Sequence, residues 1–136
     1  MEGLAASIDC STRQVVARSA TGKQPVAARI SPDGKLILVL NKKDATAGIY
    51  DAATLQLRGT INVIPDPEDA TILDDNSAAF ILSRTQRRLS VIDLRKGLLL
   101  TNLELAGIPS QMILKPDGGE LYVVSPESHG LQAINT

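Results

Sequence analysis

The sequence predicts an all-β fold built from repeated four-stranded antiparallel units. Three observations carry this. A turn motif followed by a short apolar run occurs at Ser31-Pro32-Asp33-Gly34-Lys35 and again at Lys115-Pro116-Asp117-Gly118. Asp33, Asp75 and Asp117 stand 42 residues apart, as do Pro25, Pro67 and Pro109, and also Asn41, Ser83 and Ser125. A further column, Ile8, Tyr50, Ile92 and Ile134, runs beside Asp9, Asp51, Asp93 and Asn135, and no gap is needed to align any of them. Turn signals at this frequency leave no room for helices.

Each unit reads as four strands. The first is expected near 26–30, 68–72 and 110–114. A turn follows in which Pro32 presets φ at the first corner, Asp33 takes the second and Gly34 the left-handed position. Pro116, Asp117 and Gly118 repeat it. In the middle unit Asp75 and Asn76 keep it without proline, and Asn is the residue that best tolerates left-handed backbone after Gly. The second strand, at 36–40, 78–82 and 120–124, is apolar at nearly every position, which predicts burial of both faces. The third is expected at 47–51, 89–93 and 131–135, closed by Asp51 and Asp93, with Asp9 the counterpart in the preceding unit; these carboxylates suit bonding to nearby turn amides. The fourth alternates, with Leu55, Leu57, Ile61 and Val63 on one side and Gln56, Arg58, Thr60 and Asn62 on the other, and Leu99, Leu103 and Leu105 repeat that register. A 42-residue unit of this kind fits a β-propeller blade, for which ~40–45 residues are usual. A β-sandwich is the competing architecture, but its strands need not recur at a strict interval.

The fold class expected is thus an all-β propeller segment of about three four-stranded antiparallel blades. Residues 5–22 read as the last two strands of one blade, 23–64 and 65–106 as full repeats, and 107–136 as the first three strands of another. Closed propellers use roughly 4–8 blades. The expectation is a segment of a longer propeller, or a protomer that completes its ring with other copies and is prone to oligomerise.

The blade pattern resembles the YVTN family of β-propeller repeats. The residues that carry it are Pro25, Ser31 to Lys35, Leu38-Val39-Leu40-Asn41 and Ile49-Tyr50-Asp51, with Tyr122-Val123-Val124-Ser125 nearer still to the name-giving motif. WD40 repeats are similar at this level, but Trp is absent and no Gly-His pair opens a unit. These motifs are structural and identify a fold, not an activity; the function expected is a non-catalytic scaffold that binds a protein or small ligand through loops on one face. The alternative is a segment of an enzymatic propeller, a lactonase-type hydrolase or a haem or quinone oxidoreductase, with most catalytic groups on other blades. The resemblance also implies that a longer parent could be periplasmic or extracellular.

Composition narrows the partners. The net charge is −1 and the pI about 5.8, which argues against a general nucleic-acid or anionic-membrane binder. Tyr50, Phe80 and Tyr122 are the only aromatics, so stacking platforms for bases are nearly absent. The first residues show no signal-peptide pattern, and no apolar run approaches the ~20 residues that span a bilayer. Cys10, the only cysteine, excludes an intrachain disulfide and is expected to be buried or half-buried.

In a propeller, the loops between blades share a face with the loops joining second to third strands. Residues 65–68 and 83–88 should therefore share a face, the first carrying Asp66, Glu68 and the adjacent Asp69, the second Arg84, Arg87 and Arg88. Such a group reads either as solvated loops with local ion pairs or as a polar site for an anion held by the arginines. His129, the only histidine, falls in the same loop type as Arg87; it reads as a surface residue, or as a metal or haem ligand or general base. Lys42-Lys43 reads as a solvated loop. No spacing supplies a metal cluster, and no phosphate loop or hydrolase motif is present, so no catalytic residue, metal or cofactor is predicted.

Overall fold

A computed structural model describes residues 2–136. A leading hairpin, β1 (Glu2–Asp9) and β2 (Gln14–Lys23), precedes a sheet of β3 (Pro25–Ile30), β4 (Leu36–Asn41), β5 (Thr46–Asp51) and β6 (Leu57–Asn62). The next sheet holds β7 (Asp69–Ile72), β8 (Ala78–Ser83), β9 (Arg88–Asp93) and β10 (Leu98–Glu104); the last holds β11 (Gln111–Leu114), β12 (Glu120–Ser125) and β13 (Gly130–Asn135). Neighbouring strands pair antiparallel in chain order, and register repeats with the sequence: Leu38 faces Ile49, Phe80 faces Val91 and Tyr122 faces Ala133. These sheets are successive β-propeller blades, here called first (β3–β6), second (β7–β10) and third (β11–β13).

The turns explain the strand starts. Gly34, Asn76 and Gly118 have φ of 73°, 60° and 72°, and their N–H groups donate to the carbonyls of Ser31, Leu73 and Lys115. Asp33, Asp75 and Asp117 each accept through Oδ1 from the amide two residues on, at 2.9 to 3.0 Å. The end of the third strand is built as regularly. Asp9, Asp51 and Asp93 each accept through Oδ1 from two following amides, and the chain then reverses at left-handed Arg13, Leu55 and Gly97.

The unbroken apolar run of the second strand serves two cores at once. On β8, Ala79 and Ile81 pack with Leu38, Leu40, Ala47, Ile49 and Ile61 of the first blade. Phe80 and Leu82, on the other side, pack with Leu121 and Val123 of the third. A pleated strand offers alternate residues to opposite faces, so a strand between two sheets must be apolar throughout.

Four expectations need correction. On β12 Leu121 and Val123 are buried but Tyr122 and Val124 are only half-buried, because no further sheet packs on their side among the described residues. The fourth strands begin later than their alternation implies and carry register shifts: Ile49 faces Gly59 and Tyr50 faces Leu57, while Ile92 faces Leu99 and Val91 faces Thr101. The extra residues, Arg58 and Leu100, place two residues against one. Leu57 and Leu99 are thereby thrown out of register with Ile61 and with Leu103 and are exposed, whereas Leu55 is buried from the preceding turn. Cys10 is exposed, since it sits in the β1–β2 turn that the Arg13 N–H closes onto the Asp9 carbonyl.

Candidate binding face and inter-blade contacts

The inter-blade linkers and the second-to-third-strand loops do share one end of the blades. Lys42 N–H donates to the Gln24 carbonyl, Glu68 N–H to that of Leu82, and Ser110 N–H to that of Val124. These bonds set each linker against the loop of the blade that follows it. Asp66 and Glu68 are thus brought to the β8–β9 loop: Thr85 Oγ1 donates to Asp66 Oδ2 at 3.0 Å, and Arg84 Nη1 lies 3.3 Å from Glu68 Oε2.

Glu68 is the centre of a longer chain of contacts. Its other oxygen lies 3.9 Å from Lys42 Nζ, on the β4–β5 loop. Arg84 in turn donates through Nη2 to the Ser110 carbonyl in the next linker, at 3.0 Å. Linkers and loops of three successive sheets are tied in a row, and Arg84 is occupied by this role. Lys42, read from sequence as solvated, belongs to it; the available signal was the recurrence of a cation at 42 and 84, one repeat apart.

The other site candidates separate. Asp69, on β7, pairs with Arg29 of β3, a contact between the first strands of adjacent blades that sequence spacing did not reveal. Arg88 pairs with Glu104 at 3.0 Å across β9–β10. Arg87 and His129 are not brought to the Glu68 group. Both are exposed, both have φ of 51°, and the N–H of each donates to the carbonyl three residues back. They are equivalent tips of adjacent blades, the first-blade counterpart being Ala45 at φ 53°. Among the described residues neither side chain makes an ion pair or hydrogen bond. Gln86, Arg87, Arg88, Glu104 and Leu105 line a cleft of 310 Å³ beside the first of these tips.

The opposite end carries the Asp-Gly turns. Asp33 is held below the usual carboxylate range by the Ser31 hydroxyl and the Lys35 amide, and Asp75 by Ser77. The Gly119 amide and the Lys115 ammonium do the same for Asp117, and Lys115 is raised by that partner. Asp33 N–H also donates to Asn76 Oδ1 at 3.0 Å, linking turns of adjacent blades. These groups are structural. Among the described residues no three His, Cys, Asp or Glu side chains gather as a metal site, and no helix is long and apolar enough to cross a membrane.

An apolar groove of 380 Å³ runs between β1 and the first blade, lined by Leu4, Ala6, Val26, Ala28, Ile37 and Val39. In the second blade the counterparts of Ala28, Ile37 and Val39 are Ala70, Ala79 and Ile81, all buried against the first blade.

No protein-family model and no curated protein matches the chain. Among solved structures, Kuenenia stuttgartiensis hydrazine synthase is similar with a TM-score of 0.76, at 23% identity over 83% of this chain and 33% of that one. Dihydro-heme d1 dehydrogenase NirN is similar with a TM-score of 0.68, at 14% identity over 97% of this chain and 39% of that one. Both are β-propeller proteins, and at these identities the likeness establishes the fold. The chain spans well under half the length of either.

Proposed function

We propose that this chain is a non-catalytic blade array of the YVTN type, which binds a protein or small ligand through the loop face. The observation that supports this is the division of labour among the charged loops. Lys42, Glu68 and Arg84 join one blade to the next, while Arg87 and His129 stand exposed at equivalent tips with no partner among the described residues. Two unpaired nitrogen-bearing side chains on neighbouring tips suit an acidic partner. The apolar groove beside β1 is then the seat of further strands of the same repeat, from a longer chain or another copy.

A second reading has one point in its favour, the names of the two structural neighbours, a synthase and a dehydrogenase. On it, this chain is a segment of an enzymatic propeller whose catalytic groups lie mostly on other blades. The two are told apart by titrating the protein with an acidic peptide while following the Arg87 and His129 resonances, together with metal and haem analysis of the same preparation. Shifts at both tips that vanish in an Arg87→Ala/His129→Ala variant are expected. Stoichiometric metal or haem with turnover, and tips indifferent to the peptide, would overturn the scaffold reading.

A further inference from the structure

The repeat is broken at one junction, between the leading hairpin and the first blade. Where the second blade meets the first, Ile64 is 2% exposed and its N–H donates to Ser90 Oγ at 3.0 Å. One repeat earlier these two positions are Gly22 and Gly48. At Gly48 the Tyr50 ring takes the space, since a Cβ there would stand 2.8 Å from its Cε2, but beside Gly22 a cleft of 540 Å³ opens, lined by Thr21, Asn41, Asp44, Tyr50, Leu57 and Thr60. It lies on the loop side but shares no residue with the Arg87 and His129 tips, so it stands independently of the function proposed above.

The lining is rich in acceptors. Asn41 is 2% exposed; its Nδ2 donates to Thr46 Oγ1 at 3.1 Å, and its Oδ1 is a buried side-chain atom without a partner, the one found among the described residues. A buried acceptor without a partner is unfavourable, and Asn41 is part of the cleft wall. Asp44 Oδ2 accepts the Lys23 N–H at 2.7 Å, which anchors the carboxylate at the cleft wall. Tyr50 and Thr21 give their hydroxyl protons to the carbonyls of Ala20 and Gly22, so their oxygens are left to accept. No cationic side chain lines the cleft. A Cβ on Gly22 would stand 2.7 Å from both Asn41 Cγ and Asp44 Oδ2, so only glycine keeps the space between them.

We propose that this cleft binds a small aliphatic primary ammonium ion. Such a group carries three donors and no acceptor, which matches the Asp44 carboxylate and the tyrosine and threonine oxygens of the lining. Leu57 and the Tyr50 ring cover its alkyl part.

The test is a titration of the isotope-labelled full chain with n-butylammonium, n-butanol and potassium chloride, read at the Gly22 amide and the Asn41 side-chain amide. Butylammonium is expected to shift both, and butanol to bind about tenfold more weakly or worse. Asp44→Asn keeps an acceptor for Lys23 and is expected to weaken butylammonium about tenfold; Gly22→Ala is expected to abolish binding. Gly59→Ala, whose Cβ meets open space, is expected to change nothing. The proposal falls if butylammonium shifts neither probe, leaving a cavity for water only. It also falls if butanol binds equally, if potassium alone saturates the shifts, or if Asp44→Asn binds as the unchanged chain does.

Discussion

Arg84 lies 3.3 Å from Glu68 and 3.0 Å from the Ser110 carbonyl, so one guanidinium joins the linkers on either side of its own blade. Glu68 is the less exposed partner, and removing it leaves both Lys42 and Arg84 without their carboxylate. Glu68→Ala is expected to lower stability by about 1 kcal/mol, since the pair is partly exposed. Glu68→Gln should recover part of this, and the loss should shrink at high salt. Urea midpoints at low and high salt check it; equal losses at both would remove the electrostatic account.

Ser90 is fully buried, takes the Ile64 N–H and donates to Asn102 Oδ1 at 2.6 Å. Ser90→Ala leaves a buried N–H unpaired, for which about 1–3 kcal/mol is expected. Amide exchange at Ile64 should accelerate more than at its neighbours, because the bond lost is its own.

Gly34 and Gly118 occupy left-handed backbone, and a Cβ at either would meet nothing within 4 Å. Gly34→Ala should therefore cost only its backbone strain, about 1 kcal/mol, with the packing of the first blade unchanged. A larger loss, or altered chemical shifts in the blade core, would contradict that separation of strain from contact.

Acid should act on the turns first. Asp33, Asp51, Asp75 and Asp117 are all held below the ordinary carboxylate range, Asp51 chiefly by the Thr54 amide and then by Arg58. Groups with a depressed folded value stabilise the fold above their unfolded value, near pH 4, and that contribution is lost as pH falls through the folded value. Stability should decline below about pH 4, and an Asp51→Asn variant should show a shallower decline. A pH series of denaturant midpoints is the measurement.

Much of the fold could be read from spacing because each column has one physical task. Asn76 in place of Gly34 and Gly118 identified the left-handed corner, and the apolar run from Ala78 to Leu82 announced a strand covered on both sides. What escaped depends on geometry between units. A bulge at Arg58 or Leu100 inserts a residue without changing composition, so an alternating pattern conceals it. The pairing of Arg29 with Asp69 depends on how two blades splay. On the candidate face, that residues 65–68 and 83–88 share one end of the blades was legible from topology alone. Which of their charges would be consumed at a junction, and which left free, was not. The substitution of Gly22 for Ile64 was visible in the columns, but its meaning required knowing that Ile64 is a plug.

The two-sided use of β8 has a mechanical consequence. Ala79 and Ile81 grip one neighbour while Phe80 and Leu82 grip the other, so each junction is held by its own set of side chains. Pulling on the chain should part such an array stepwise, with each seam yielding by itself. The seam at the leading hairpin, where two glycines replace Ile64 and Ser90, should be the first to give.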